Sequence, residues 1–418
     1  MAGRIGWLST ALVIGSWVTV FVAAGCGGAD EEPGPSAGGQ AAPAGAATVP
    51  ITIDHNRLYV DVDLARPDGG VRRATAWVDT GNQHLIVVQD LARELGLDDS
   101  LVDADSEHSV ESTSPAPEMS IGGVVLTSEG IEVRVRPGTW VQNGVPAEMF
   151  LPANALRDLH VVFDGPARQM TVAPPGVLTP RGEAVPCRVN PDTGLLMIEA
   201  TVDGEPVPLG VDTGSAGTWV SRAVAERWPD HFPDLAWAVG AAGSANFFGL
   251  PFETQGALTS LPELGIGSVR VPDVAVLALG QGLFDWYSQK SAGPVSGFIG
   301  ANVIDRCRLE IDWPNGMTWW ELGPEPEQRD LDIVGLTLRP APDGSFAVAG
   351  VVRRDGVPTV EGVEADDVLL RVDGLEVPGS TMGEVVGALR GRPGEMRTLV
   401  LERNGERVTV EAPVTRLP

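Results

Sequence analysis

Cysteine, histidine and basic residues are all scarce in this sequence, and each shortage closes off a class of function. With 3 cysteines, 5 scattered histidines and no His-x-x-x-His pair, there is no cluster from which a zinc site is built. Lysine and arginine total 29 against 56 acidic residues, a formal charge of -27. A phosphate backbone would be repelled by such a surface, which excludes nucleic acid as a partner. No run of five like charges marks a binding tail. There is no Gly-x-Ser-x-Gly elbow and no phosphate-cradling glycine loop, so no metal and no cofactor is expected. Helix-period patterns are few and short, at 87–97, 220–228 and 382–390, which leaves strands to carry the fold.

The chain of 418 residues is 43% apolar, enough for more than one core. Arg4 precedes an apolar stretch over 5–22 that ends in Ala23-Ala24-Gly25-Cys26. Small residues after an apolar run mark a secretory signal peptide over 1–25. A cysteine directly after them resembles the bacterial lipobox, although leucine is commoner at the Ala23 position. That resemblance implies lipidation of Cys26, export, and a membrane anchor in the cell envelope, at the outer membrane or the periplasmic face. The alternative is a spanning anchor, since the apolar stretch approaches spanning length. Residues 26–48 are Gly, Ala, Pro and acid without apolar period, and read as a flexible tether.

From Val49 onward short alternating strands are broken by Asp-Gly, Pro-Gly and Asn-Gly turns. Four landmarks recur in one order. Val49-Pro50-Ile51 returns as Val185-Pro186-Cys187, and Ala76-Trp77-Val78-Asp79-Thr80-Gly81 as Leu209-Gly210-Val211-Asp212-Thr213-Gly214. Met119-Ser120-Ile121-Gly122-Gly123 returns as Leu264-Gly265-Ile266-Gly267, and Phe150-Leu151-Pro152-Ala153-Asn154 as Phe298-Ile299-Gly300-Ala301-Asn302. Two related lobes, 49–176 and 183–323, follow from this repeat. It also aligns Cys187 with Ile51 and Cys307 with Leu159. In an oxidising compartment a Cys187–Cys307 disulfide is the expectation, with two buried thiols as the alternative.

Each Asp-Thr-Gly follows an apolar strand and precedes a short helix-like segment. Two such loops meeting at a pseudo-twofold axis would bring two carboxyls together to share one proton. These residues resemble the retropepsin-like aspartic peptidases, with both halves fused in one chain, over residues 49–323. The segment 207–228 is similar to the family's Asp-Thr-Gly-Ser plus helix signature, and Phe298-Ile299-Gly300 to its second signature. The resemblance implies a mainly β protein of two β-barrel lobes and an aspartic endopeptidase. Asp79 and Asp212 would be catalytic, Thr80 and Thr213 would lock the loops, and Gly81, Gly214, Ser215 and Gly300 would support them. Asp164 and Asp312 fall in the family's late structural turn. One chain would suffice for catalysis, acting on protein or peptide substrates.

A third copy, Asp192-Thr193-Gly194, follows Asn190-Pro191 without an apolar strand and reads as a hairpin turn. The first lobe departs from the family at Pro152, where glycine belongs, and at Asn82-Gln83-His84, where small residues are usual. Proline removes a backbone donor, so a lobe that keeps the fold and has lost catalysis is the alternative. Gly240, Ala241, Ala242 and Gly243 are a candidate flap tip or an ordinary loop, and neither Tyr59 nor Tyr287 falls there. His84 is a candidate at the cleft rim, and Trp313, Trp319 and Trp320 are expected to pack between lobes.

From Leu331 the pattern changes again. Val334-Gly335-Leu336-Thr337-Leu338 reads as a glycine-led strand, followed by Asp366-Asp367-Val368-Leu369-Leu370-Arg371-Val372-Asp373-Gly374 and a final hairpin through Asn404-Gly405. The order resembles a circularly permuted bacterial PDZ domain, an α+β unit over 331–418. Asp366 stands where that family carries glycine. The resemblance implies peptide binding along Val334, Gly335, Leu336, Thr337 and Leu338 by strand addition. The rival to an enzyme is therefore a non-catalytic lipoprotein that holds peptides in the cleft and this groove.

Overall fold

The computed structural model describes residues 43–102, 109–137, 140–142, 145–341 and 343–418, and the expected signal segment with Cys26 lies outside them. The chain is mainly β. No helix among the described residues is long and apolar enough to cross a membrane.

A sheet shared by the two repeats runs through the middle of the molecule. Ala47–Pro50, Gln169–Ala173 and His160–Asp164 from the first repeat continue into Cys307–Asp312, Met317–Leu322 and Glu183–Val189 from the second. At the seam His160–Asp164 and Cys307–Asp312 are antiparallel, with His160 opposite Asp312 and Asp164 opposite Arg308. The two seam strands are buried along almost their whole length, and Val161, Phe163, Leu309 and Ile311 belong to one apolar core that draws on both repeats. Trp313 and Trp320 are buried in this region, and Trp319 stacks on His160 at 5.5 Å. His160 is itself buried and bonds the buried Glu310 carboxylate at 2.9 Å. The first strand begins at Ala47, so the expected tether gives up its last two residues to the sheet.

Both repeats then use the same pairings. Val71–Asp79 runs parallel to Met149–Pro152, which is antiparallel to Leu85–Val88, which is parallel to Val133–Arg136. Glu205–Val211, Gly297–Ile299, Thr218–Ser221 and Val269–Leu279 repeat that order and those directions. In the second repeat Ala257–Ile266 also meets Leu196–Val202 at Gly265 and Thr201, which closes a six-stranded barrel. Among the described residues the first repeat shows no such closure, and its counterpart hairpin is interrupted after Val124–Val125.

The C-terminal unit has an antiparallel sheet of Leu336–Pro340, Phe346–Val351, Val368–Val372, Met396–Arg403 and Glu406–Pro413, with one helix, Met382–Leu389. Thr381 and Glu384 close a reciprocal capping box at that helix's start, and Asp54 adds a bond to the Gly383 N–H at 3.2 Å. The unit does not stand apart. Leu336, Phe346 and Leu399 belong to one apolar cluster with Leu258, Leu277 and Phe298 of the second repeat. Its hairpin Arg353–Arg354 and Val357–Pro358 extends the second repeat's sheet through Ala238–Val239.

Several local expectations are corrected. Strand takes Val87–Val88 and Val220–Ser221, leaving helices only at Gln89–Glu94 and Arg222–Ala225. Helices at Gln281–Ser288 and Ala301–Ile304 carry too short an apolar period to stand out. The expected disulfide is absent: Cys187 and Cys307 are free and buried. Cys187 lies beside Gly316, whereas Cys307 faces Leu322 at the far end of the same strand. Six residues of strand separate those positions, roughly 20 Å, far beyond disulfide reach. Burial pushes both thiols up to about 12.

Candidate active site

Val71–Asp79 and Glu205–Val211 each end at the pseudo-twofold axis, and the next residues lock the two repeats together. Thr80 donates its hydroxyl to the Val211 carbonyl at 2.9 Å and accepts the Thr213 N–H at 3.0 Å. Thr213 reciprocates, donating to the Val78 carbonyl at 2.7 Å and accepting the Thr80 N–H at 3.2 Å. Both threonines are buried, so these four exchanged bonds fix the relative position of the two loops in a water-poor setting.

That lock sets the two aspartates against each other. The carboxyls of Asp79 and Asp212 meet at the axis, each lying against the glycine of the other's loop. A Cβ placed on Gly81 would lie 2.5 Å from the Asp212 carboxyl carbon, and one on Gly214 would lie 2.2 Å from Asp79 Oδ1. The glycines are required by this close approach; neither has a positive φ. Asp79 Oδ1 accepts the Gly81 N–H at 3.1 Å, while Asp212 Oδ1 accepts those of Gly214 at 2.9 Å and Ser215 at 3.2 Å. Burial raises the Asp79 pKa well above the usual carboxylate range, and the neighbouring Asp212 charge raises it further. Burial also raises Asp212, against the opposing pull of its N–H donors. Two such groups hold one proton between them, and the titration belongs to the pair.

The departure at Pro152 is compensated locally. In the second repeat the Gly300 N–H donates to Thr218 Oγ1 at 3.3 Å, and a Cβ on Gly300 would meet the Gly217 carbonyl at 2.0 Å. In the first repeat the corresponding pair is Pro152 and Leu85, so donor and acceptor vanish together. Pro152 still sits opposite Asp79 in the ladder, and the Ala153 N–H still reaches the Asn82 carbonyl at 3.0 Å. Asn82 also does what Ser215 does: its side-chain amide donates to the His84 carbonyl at 2.8 Å, as the Ser215 hydroxyl does to that of Gly217 at 2.7 Å.

Other residues singled out in the sequence fall in different places. Asp164 and Asp312 cap turns, accepting the N–H groups of Ala167 and Asn315. Asp192-Thr193-Gly194 is a turn held by Asn190. His84 is half-buried, 3.4 Å from Glu132, and burial lowers its pKa. Gly240–Gly243 is not a flap tip. All four residues are buried, and Thr337 grips Ala241 from both sides, taking its N–H at 3.2 Å and donating to its carbonyl at 2.7 Å.

The proposed peptide groove of the C-terminal unit is likewise occupied. Val334, Leu336, Thr337 and Leu338 are buried. The outward backbone of Leu338 is already paired with the Asn246 side chain, N–H to Oδ1 at 2.6 Å and carbonyl to Nδ2 at 2.9 Å. A Cβ on Gly335 would meet Thr359 Oγ1 at 2.2 Å, so no ligand backbone fits behind it. The chain's own amide therefore fills the edge at which a strand would add.

Sequence reasoning passed over four residues beside the dyad. Arg57 is completely buried and, among the described residues, has no ion pair with any acid; its guanidinium lies over Trp77 at 5.2 Å. Phe247 packs edge-on against Trp219 at 5.1 Å. Glu253 is completely buried beneath Phe247. Tyr287 is half-buried; burial raises its pKa, as do the charges of Asp212 and Asp79. Only the rarity of tyrosine, 2 in the chain, would have singled out one of the four. In comparisons with known proteins, no family model and no curated protein matches this chain.

Proposed function

We propose that this chain is an aspartic-type peptidase in which Asp79 and Asp212 form the acid–base pair. The observation that carries the reading is the meeting of two carboxyls at the axis, the buried Asp212 and the half-buried Asp79, each seated against the glycine of the other's loop. One proton shared by such a pair leaves one carboxylate to act as base and one carboxyl to act as acid. A water between them gives a proton to the base as its oxygen bonds the peptide carbonyl carbon, and the acid protonates the carbonyl oxygen. The C–N bond then breaks as the nitrogen takes a proton from the dyad and one hydroxyl of the diol returns a proton to it, which releases an acid and an amine and restores the starting state. The threonine lock keeps both groups in place through these steps, which lowers the reorganisation each one needs.

The proposal includes a retropepsin-like fold for 49–176 and 183–323 and a PDZ-like fold for 331–418. Support for the first comes from the identical pairing order of the repeats and the exchange of threonine bonds across their axis. Support for the second comes from a six-stranded antiparallel sheet, completed by Leu375–Glu376 beside Val368–Val372, and the helix Met382–Leu389. Export with a lipid on Cys26, and protein or peptide substrates, belong to the same proposal. Because both aspartates come from one chain, a monomer suffices.

The test is hydrolysis of an unfolded protein between pH 4 and 6, followed by mass spectrometry, for the wild type, Asp79→Asn and Asp212→Asn. Each variant is expected to lose activity by on the order of a thousandfold. Equal cleavage by all three preparations would remove the dyad from the reaction, and folded but inactive wild type would favour a peptide holder.

A further inference from the structure

The two flanks of the dyad are not alike. Trp77 precedes Asp79 by two residues on one strand, so both side chains point to the same face. On that face Trp77, Tyr59 and Phe150 form a cluster with Phe247 and Phe248, which come from the second repeat. The Phe247 ring stands 6.5 Å from Trp77 and 5.1 Å from Trp219, while Phe248 lies against Phe247 at 3.8 Å. Just before them the Ser244 carbonyl presses on Gly217, where a Cβ would come within 2.5 Å. Residues 244–248 thus run from the strand leaving one aspartate to the strand entering the other, along the path an extended substrate would take on that flank.

This segment is held at several independent points. Arg57 donates to the Phe247 carbonyl at 2.8 Å, and its guanidinium lies 4.8 Å and 5.3 Å from the Phe247 and Phe248 rings. The buried Glu253 carboxylate accepts the N–H groups of Phe247, Phe248, Gly249 and Leu250 at 2.6, 2.9, 3.2 and 3.0 Å. It also accepts the Asn246 side-chain amide at 3.2 Å, and Asn246 is in turn tied to Leu338. A turn wound on one fully satisfied buried acceptor and pinned to a second unit is a wall.

The opposite flank is filled less completely among the described residues: the Phe298 ring lies against Gly210 and carries the Tyr287 ring at 4.5 Å, with no turn pinned as 244–248 is. Trp77 has Gly210 as its counterpart there, and Trp219 has Ile86. Asp79, Gly81, Asn82, Gln83, His84, Tyr287 and Lys290 are all half-buried rather than sealed.

We infer that the cleft is one-sided. Resting on the peptidase reading, this assigns the substrate class: peptides cut near one end, with one or two residues on the filled flank and the long portion leaving past Tyr287 and His84. The hydrolytic step is unchanged; what changes is which bonds reach the dyad.

The test uses the full chain and one peptide sequence of about a dozen residues in four forms: free at both ends, acetylated, amidated and head-to-tail cyclised. Mass spectrometry of the products should show end cuts outnumbering internal cuts by on the order of tenfold or more, with the cyclic form intact. Whether acetylation or amidation blocks trimming tells which end is taken. Phe247→Ala with Phe248→Ala should open the wall and bring internal cuts and ring opening. Internal cuts by the wild type, or opening of the cyclic peptide, would overturn the one-sided cleft while leaving the peptidase reading in place. No cleavage beyond that of Asp212→Asn would overturn both. Should the double variant fail to fold, amide exchange of 246–250 in the wild type decides the matter: slow exchange supports a wall, and fast exchange shows a displaceable plug and overturns it.

Discussion

Replacing Asp212 by asparagine should make the protein more stable at neutral pH while removing half of the dyad. Asp212 is only 7% exposed, and burial raises its pKa from 3.8 to about 6. The unfolded chain releases that proton near pH 4, whereas the folded chain keeps it until about pH 6. A raised acid therefore contributes its stability in full below the unfolded value and loses it as pH rises through the folded one. The shift is about two pKa units, or about 3 kcal/mol of wild-type stability given up between pH 4 and pH 7. Asparagine can still accept the N–H groups of Gly214 and Ser215, and its own amide can donate to Asp79 in place of the shared proton. The variant and wild type should then melt together near pH 3.5. Their melting temperatures should separate above pH 6, the variant higher by roughly 4 °C for a cooperative unit of this size. Thermal unfolding followed by circular dichroism from pH 3.5 to 7.5 reads the difference directly. A difference that does not change with pH, or a variant less stable at pH 7 than the wild type, would refute the claim that the buried pair is strained by its charge.

Two further outcomes follow from the same geometry. Gly300→Ala should be severely destabilising, by about 3 kcal/mol or more, because its Cβ would meet the Gly217 carbonyl at 2.0 Å; Pro152→Gly should stay within about 1 kcal/mol, and denaturant titration of both variants checks the contrast. Cys187 and Cys307 should resist a thiol reagent in the folded protein and both react after unfolding without reductant; an intact Cys187–Cys307 bond in the unreduced mass spectrum would contradict their placement.

The elements that were legible share one property: their signals are local and repeated. The apolar strand before each Asp-Thr-Gly, the glycine turns after Ile121 and Ile266, and the capped helix at Met382 are each written within a few residues. The paired landmarks then made a two-lobed reading possible without any tertiary information. The misread elements were those whose local pattern fits two environments. Gly240–Gly243 has the small residues of a mobile tip, yet the same smallness lets it pack tightly against Thr337 and Val352. The cysteine pair looked bridgeable because the alignment gave each an apolar counterpart, but similar environments in a core need not be adjacent ones.

Composition and repetition alone determined that the chain is rich in short strands, is built twice over, and brings one aspartate per repeat on a glycine turn. Period, turn chemistry and charge are properties of a few neighbouring residues, and they survive in the bare sequence. Only the tertiary structure decided that the two carboxyls come together at the axis, that Asn246 fills the edge of the C-terminal sheet, and that Phe247 packs between Trp77 and Trp219 on one flank of the dyad. Arg57 and Phe247 are 190 positions apart, and nothing in either neighbourhood encodes the other. Their meeting is set by how three packed units close over one another, because burial of the aromatic cluster rewards a particular arrangement of whole surfaces rather than any local run of residues.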